Sequence, residues 1–350
     1  MKTENNENLK TRWSELLTQN PKLRIRDAAR ALGVSEAELL ATDCGRHVTR
    51  LEGDWTALIK EFPRLGRVMC LTRNESAVHE RYGVFTNEIA FFHGMGQVVG
   101  ADIDLRLFMS HWHVGFAIGE TDKEGRLRHS LQFFDFDGTA VFKLFLTEGS
   151  DHAVYSELVT KYTSSNQSTE QVTGPVEKAA PEKPDSEIDV TGFQEGWKTT
   201  KDTHEFFGLM KKFSVSREQA LRLAPEGYAW QVKLEATKLM LERAAAAQTP
   251  IMVFIGSPGC IQIHTGPVHN IKPFGAEWLN VLDDDFNMHL REPDIATAWV
   301  VKKATKDGFV TSLELFDKQG ENVVLFFGKR KPGQAEDEAW RLIVLNLPKA

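Results

Sequence analysis

The feature that most constrains this chain is an internal repeat with a spacing of about 181 residues. RIRDAARALGVSEAELL (24–40) aligns without gaps with EFFGLMKKFSVSREQAL (205–221), which places Val34 on Val215 (215 − 34 = 181). Four collinear matches in one order predict that the 350 residues contain two copies of one structural unit. The three further pairs of segments are 67–84 with 249–268, 102–118 with 286–301, and 121–146 with 305–330.

Each copy begins with amphipathic helical segments and continues with short apolar or alternating runs such as RVMCLT and HSLQFFDFDG. Alternation with a period of two, interrupted by Asp-Gly and Glu-Gly turns, is typical of antiparallel hairpins. We therefore expect an α+β fold with an internal duplication, in which each half is a large antiparallel β-sheet with flanking helices.

The predicted division places a first repeat at 1–160 and a second repeat at 191–350. The intervening segment 161–190 is rich in Ser, Thr, Pro, Glu and Lys and contains few large apolar side chains. Such a composition buries too little apolar surface to order a chain, so this segment is predicted to be a flexible linker.

The helical hairpin at 24–40 has the outline of a DNA-reading helix-turn-helix, but its charge is unfavourable. The net charge is −7, and the would-be recognition helix carries Glu36, Glu38 and Asp43. Duplex binding depends on neutralising phosphates with Lys and Arg, so the charge argues against nucleic acid as a partner.

Three features predict a cytoplasmic protein that does not insert into membranes. The three cysteines form no CxxC pair, no apolar run approaches the ~18 residues of a membrane span, and the polar N-terminus lacks the apolar core of a signal peptide. The internal duplication leaves both a monomer and a homodimer open.

Chemical groups present in only one copy are candidates for function. His204 lies in the first turn of a predicted helix, at a position where the first copy has Leu23 (204 − 181 = 23). The positive end of a helix dipole disfavours protonation, and a neutral imidazole can ligate iron. The alternative is a surface or capping histidine. Arg217 opens the next helix of the same hairpin.

In the first copy, Arg106 and Phe108 are two residues apart on a predicted strand and therefore share a face. A cation beside an aromatic ring suits a flat anionic molecule that contains a metal. The alternative for Arg106 is an ion pair with Asp102 or Asp104.

The phrases DTHEFFGLMKKF, IGSPGCIQIHTGPV and DIDLRLF resemble those of the bacterial haem-utilisation proteins known as haemin-degrading factors or haemin transport proteins of the HemS/HmuS/ChuS type. The resemblance covers essentially the whole chain. It implies two similar halves and a bound haem b (iron protoporphyrin IX). It implies His204 as the proximal iron ligand and Arg106, with Phe108, on the distal side.

The same resemblance implies further contacts with the haem. Phe327 occupies a position where relatives often carry tyrosine, and the choice between Lys302 and Lys303 stays open. His79 matches a histidine of a second, weaker haem site, and the alternative for His79 is a polar loop residue. The remaining implied positions, at which cations contact the propionates or line the pocket, are Arg217, Lys303 and Arg330.

Two classes of function follow from the resemblance. In the first, the protein opens the porphyrin ring oxidatively and releases iron, with His204 and Arg106 as catalytic residues and an external electron donor. In the second, it is a haem chaperone that takes haem from an importer and delivers it to a separate haem oxygenase. A DNA-binding regulator is a third and weaker alternative. The pocket residues are common to the first two, so the number of haems and the reaction product stay open.

Overall fold

The computed structural model describes residues 2–121, 125, 127–176, 181–203, 205–330 and 333–350. Short helices and antiparallel strands make up this part of the chain. The helices are α1 (Lys2–Gln19), α2 (Ile25–Leu32), α3 (Glu36–Ala41), α4 (Trp55–Glu61), α5 (His152–Tyr162), α6 (Val190–Lys198), α7 (Glu205–Phe213), α8 (Arg217–Arg222), α9 (Ala236–Ala246) and α10 (Glu338–Leu345). No described helix is long and apolar enough to cross a membrane.

Strands that are joined by a hairpin run antiparallel, as predicted. The strands are β1 (Val48–Leu51), β2 (Gly66–Arg73), β3 (Ala77–Val84), β4 (Ile89–Phe92), β5 (Met95–Val99), β6 (Asp104–Phe108), β7 (Val114–Thr121), β8 (Leu127–Phe134), β9 (Ala140–Ser150), β10 (Ala229–Val232), β11 (Ile251–Ser257), β12 (Cys260–Gly266), β13 (Ile271–Phe274), β14 (Trp278–Leu282), β15 (Phe286–Arg291), β16 (Ile295–Thr305), β17 (Gly308–Asp317) and β18 (Asn322–Gly328).

The chain divides into two compact units. Unit 1 comprises 1–73, 80–177 and 257–262, and unit 2 comprises 74–79, 178–256 and 263–350. Strands β3 and β12 are therefore each divided between the two units. This exchange of a few residues is not part of the predicted division. The predicted repeat boundaries stay a prediction.

The two units repeat one strand order. Unit 1 contains the orders β1-β7-β8-β9-β2 and β6-β5-β4, and unit 2 contains β10-β16-β17-β18-β11 and β15-β14-β13. Each strand in the orders of unit 1 therefore has a counterpart in those of unit 2. The predicted α+β fold with an internal duplication is confirmed.

Local signals in the sequence account for the helical hairpins. Ser35 caps α3 by accepting a hydrogen bond from the backbone N–H of Glu38, and Ser216 caps α8 in the same way through Gln219. Gly33 has a φ of 71° after α2, a left-handed conformation that ends the helix. The Val-Ser phrase of the repeat therefore marks a helix start in both copies.

Each unit buries its own apolar core. In unit 1, α4 and α5 contribute Leu58 and Leu158 to a cluster with strands β2 and β6–β9. In unit 2, α9 and α10 contribute Met240 and Trp340 to a cluster with strands that include β11 and β18. Burial of such large side chains contributes about 1.5–3 kcal/mol each.

The first part of the predicted linker 161–190 is hydrogen-bonded to β1 and to Glu52, the residue after it, in unit 1. The Arg50 backbone N–H donates to Gln167 Oε1 (2.9 Å), and Ser164 Oγ donates to Glu52 Oε2 (2.6 Å). The flexibility of the whole segment stays a prediction.

Packing of α10 on β18 generates a stability prediction. A Cβ added at Gly328 would come within 2.5 Å of Trp340 Cγ. We expect Gly328→Ala to lower the free energy of unfolding by about 1–3 kcal/mol, because the core cannot admit the extra atom. The measurement is urea unfolding. Gly208→Ala in α7, where a Cβ meets nothing within 4 Å, is the control and should be neutral or stabilising by up to ~1 kcal/mol. An unchanged midpoint for Gly328→Ala would contradict the packing described.

Candidate functional site

A cluster of charged side chains in unit 2 surrounds Glu314 on β17, whose side chain has no exposed surface. Arg217 holds both carboxylate oxygens, with Nε donating to Oε2 (2.8 Å) and Nη2 donating to Oε1 (3.0 Å). Lys303 Nζ and Ser312 Oγ each donate to Oε1 at 2.8 Å. Four donor groups from α8, β16 and β17 therefore converge on one carboxylate.

Burial and charge oppose each other at this carboxylate. Burial alone would raise the pKa of Glu314, but Arg217 and Lys303 hold the pKa well below its usual range. Burial lowers the pKa of Lys303 to about 8, and the nearby charge of Arg217 acts in the same direction, while Glu314 opposes both. With all three groups ionised, the cluster carries a surplus of one positive charge.

Aromatic rings form the apolar surroundings of the lysine. Lys303 Nζ lies 5.1 Å from the ring centroid of Phe206 and 5.5 Å from that of Phe327. Phe327 in turn packs edge-on against Phe254 at 5.3 Å. The geometry allows cation–π attraction to both rings. Unit 2 thus combines cations with flat apolar surface, and Phe207 adds a ring that is 72% exposed.

The local sequence explains how these groups reach one place. The Ser216 cap starts α8 so that Arg217 occupies its first position. In the β16–β17 ladder, Lys303 is opposite Val310 and Trp299 is opposite Glu314. Phe206 belongs to the first turn of α7, and the predicted ligand His204 lies outside the described residues.

The other predicted cations of unit 2 have different neighbours. Lys302 Nζ lies 5.1 Å from the ring centroid of Phe309. Arg330 Nη2 lies 3.6 Å from Asp307 Oδ2. The structure therefore brings Arg217, Lys303 and Phe327 together, and it distinguishes Lys303 from Lys302.

Unit 1 presents Arg106 and Phe108 on β6. Both side chains are half-buried on the same face of the strand, as predicted, with Leu107 buried on the other. Arg106 forms an ion pair with Asp104, one of the two partners that the alternative names, and burial raises the pKa of Asp104. The role of Arg106 on the distal side stays a prediction.

The alternative for His79, a polar loop residue, does not hold. His79 lies in β3 and is fully buried in unit 2, with its ring centroid 4.9 Å from that of Phe286. Phe286 also stacks on His264 at 3.9 Å. Both faces of this strand are covered at His79, so aromatic rings lie beside the imidazole. The polar residues around it in the sequence, AVHERYG, do not indicate this burial. Its role in a second haem site stays a prediction.

Glu314 itself was not among the predicted residues. The stretch SLELFD is buried at every position up to Phe316, so alternation gives no indication of which face Glu314 occupies. A usable signal was nevertheless present, because the position of Glu314 in the first copy is Gln132 (314 − 182 = 132), a charge difference between copies.

Comparison with known proteins establishes the relationship of the chain. The family model of the haemin-degrading HemS/ChuX domain matches it twice, at residues 33–162 and 214–347. The chain belongs to this family. The double match has one part in each copy, in agreement with the duplicated strand order.

Individual relatives extend over nearly the whole chain. The haemin transport protein HmuS of Yersinia pestis is 35% identical over 336 residues, which is 96% of both chains. The structure of the haem-bound form of PhuS, a haem-binding protein of Pseudomonas aeruginosa, matches with a TM-score of 0.95 at 43% identity and covers 99% of both chains. ChuS, an Escherichia coli haem oxygenase, matches with a TM-score of 0.86 at 35% identity, over 97% of this chain and 99% of ChuS.

The buried lysine makes the stability of the protein depend on pH. The folded pKa of Lys303, about 8, is below the ordinary value, so between pH 8 and about 10.5 the unfolded chain binds more protons. The contribution of this group to stability therefore rises with pH in that window. In Lys303→Met the rise should be absent, so the free energy of unfolding of wild type minus variant increases between pH 8 and 10.5. Urea unfolding across this range measures the difference.

Lys302→Met is the matched control, because it removes a lysine from the adjacent, less buried position. Its difference from wild type should stay flat over the same range. A parallel rise in both variants would show that the burial of Lys303 is not its cause.

Proposed function

We propose that the protein binds haem through unit 2. The observation that carries this proposal is the cluster of Arg217, Lys303 and Glu314, which holds surplus positive charge beside the rings of Phe206 and Phe327. Haem b (iron protoporphyrin IX) is flat and aromatic and bears two carboxylates. Carboxylates bind cations, and guanidinium in particular matches them with two parallel hydrogen bonds. The surplus positive charge and the aromatic rings of the cluster suit such a ligand.

Iron ligation is assigned to His204 on the family resemblance. The first described residue after it, Glu205, begins α7, and its side chain accepts a hydrogen bond from the Lys201 backbone N–H (2.7 Å). The positive end of a helix dipole disfavours protonation of a nearby imidazole, and neutral imidazole is the form that ligates iron.

We further propose that the protein degrades the haem that it binds. ChuS, which matches over nearly its whole length, is a haem oxygenase. Haem supplies the redox-active iron for oxidative ring opening, and an external donor must supply the electrons. In this assignment His204 holds the iron, Arg217 and Lys303 orient the ring through its carboxylates, and Arg106 is the further catalytic residue that the resemblance implies. A cytoplasmic location suits a reaction that releases iron to the cell.

Delivery without degradation is the second candidate. It is favoured by the relationship to HmuS, a haemin transport protein, and to PhuS, a haem-binding protein. In that case a haem importer and a separate haem oxygenase are the partners. The pocket residues are the same for both functions, so the two differ only in what happens to bound haem.

Substitution of the ligand tests the binding proposal. We expect His204→Ala to weaken haemin binding at least about tenfold and to shift the Soret band, because the iron loses its axial imidazole. Haemin titration followed by absorbance measures both. His47→Ala, which removes an exposed histidine of unit 1, is the control and should bind like wild type. An unchanged spectrum and affinity for His204→Ala would remove His204 from the site.

Turnover of the complex separates degradation from delivery. The purified haemin complex is incubated with ascorbate in the presence of catalase, and the Soret band and released iron are followed. Loss of the band with stoichiometric iron release is expected for an enzyme. A stable band, together with transfer of haemin to an added haem oxygenase, would support delivery instead.

A further inference from the structure

Both cations of the unit 2 cluster contact the carboxylate of Glu314. It is fully buried, and it receives hydrogen bonds from Arg217, Lys303 and Ser312. Burial of a charged lysine or arginine is costly unless a counter-charge is close, and in practice the lysine then loses its proton. The charge of Lys303 therefore depends on Glu314, and the two hydrogen bonds to Glu314 fix the orientation of the Arg217 guanidinium.

The other copy shows what this strand position requires for folding alone. Gln132 of β8 corresponds to Glu314, since the turns that follow, at Asp135 and Asp317, have the same offset of 182 (317 − 135). Gln132 is buried as Glu314 is, and its Nε2 donates a hydrogen bond to Ser130 Oγ (3.1 Å), whereas Glu314 Oε1 accepts one from Ser312 Oγ. Unit 1 thus forms its β-ladder with a neutral amide at this position, so the strand alone does not require a negative charge there.

The cations change together with the carboxylate. Arg217 corresponds to Glu36 (217 − 36 = 181), and Lys303 corresponds to Glu120 (303 − 120 = 183). In unit 1, Glu36 instead forms a buried pair with Lys143, whose counterpart in unit 2 is Leu325. At these positions unit 1 therefore has one cation, Lys143, and two anions, Glu36 and Glu120, whereas unit 2 has two cations and one anion.

We propose that Glu314 is a positioning residue for ligand binding, which keeps Arg217 oriented and Lys303 protonated so that unit 2 presents a surplus positive charge to an anionic ligand. This inference rests on the proposed binding of haem. Among the described residues, the charged groups close to Lys303 are Glu314 and Arg217. The rings of Phe206 on α7 and Phe327 on β18 are its aromatic neighbours.

Glu314→Gln should therefore act through the cations rather than through the fold. Without the carboxylate, Lys303 is buried beside Arg217 and two rings, which favours its neutral form at pH 7. The variant should bind haemin about tenfold more weakly at pH 7, the loss expected for one charged hydrogen-bonding partner. Wild-type affinity should fall as pH rises through about 8, where Lys303 deprotonates, and this step should be absent from the variant.

The experiment is haemin titration of the full chain at pH 6.5 to 9.5, followed at the Soret band. Four variants are compared with wild type. Glu314→Asp keeps the negative charge and should retain part of the fall in haemin affinity near pH 8. Lys303→Met should show no such fall. Glu336→Gln is the control for a purely structural carboxylate, because buried Glu336 bonds Thr311 on the same strand. It should change thermal stability but keep the step. Unfolding midpoints of all variants are measured in parallel.

The outcomes separate this inference from the proposal beneath it. If wild type binds no haemin at any pH, the proposed function fails. If wild type binds haemin but Glu314→Gln, or Lys303→Met, retains the same step and affinity, the role of Glu314 is refuted. Should Glu314→Gln not fold, the comparison of Lys303→Met and Glu314→Asp with wild type gives the same decision.

Discussion

The ionised carboxylate of Glu314, enclosed within unit 2, is the interaction on which the candidate site depends. Burying an ion costs several kcal/mol, and only close counter-charges and hydrogen bonds offset that cost. Arg217 provides a two-pronged contact and Lys303 a third bond, so α8, β16 and β17 are tied together at one point. Arg217 and Lys303 together carry two positive charges, and Glu314 neutralises one of them. One positive charge therefore remains to attract an anionic ligand.

The duplication explains why this charge occurs in one unit only. Both copies use the same strand order and the same serine caps, so the backbone places equivalent side chains in equivalent positions. Glu36 and Gln132 occupy in unit 1 the positions that Arg217 and Glu314 occupy in unit 2. The two copies therefore share one backbone arrangement but carry different charged side chains at equivalent positions. The surplus positive charge of unit 2 is complementary to the negative charge of the proposed ligand.

Much of the fold could be predicted from the sequence because its signals are local. The repeat, the strand alternation and the capping serines are periodic or short-range patterns, and the pairing of Arg106 with Asp104 follows from two residues on one strand face. Burial of His79 and Glu314 could not be predicted in the same way. Both lie in strands whose polar positions are covered, and that covering is decided by tertiary packing. The division of β3 and β12 between the units is likewise a long-range property.

The central claim is that unit 2 recognises the negative charge of its ligand as well as its flat shape. The most direct test compares the affinity of the wild-type protein for haemin with its affinity for haemin dimethyl ester, whose carboxylates are neutral. Charge-assisted contacts are worth about 1.5–3 kcal/mol each, so haemin should bind at least about tenfold more tightly. Equal affinities for the two compounds would contradict the account.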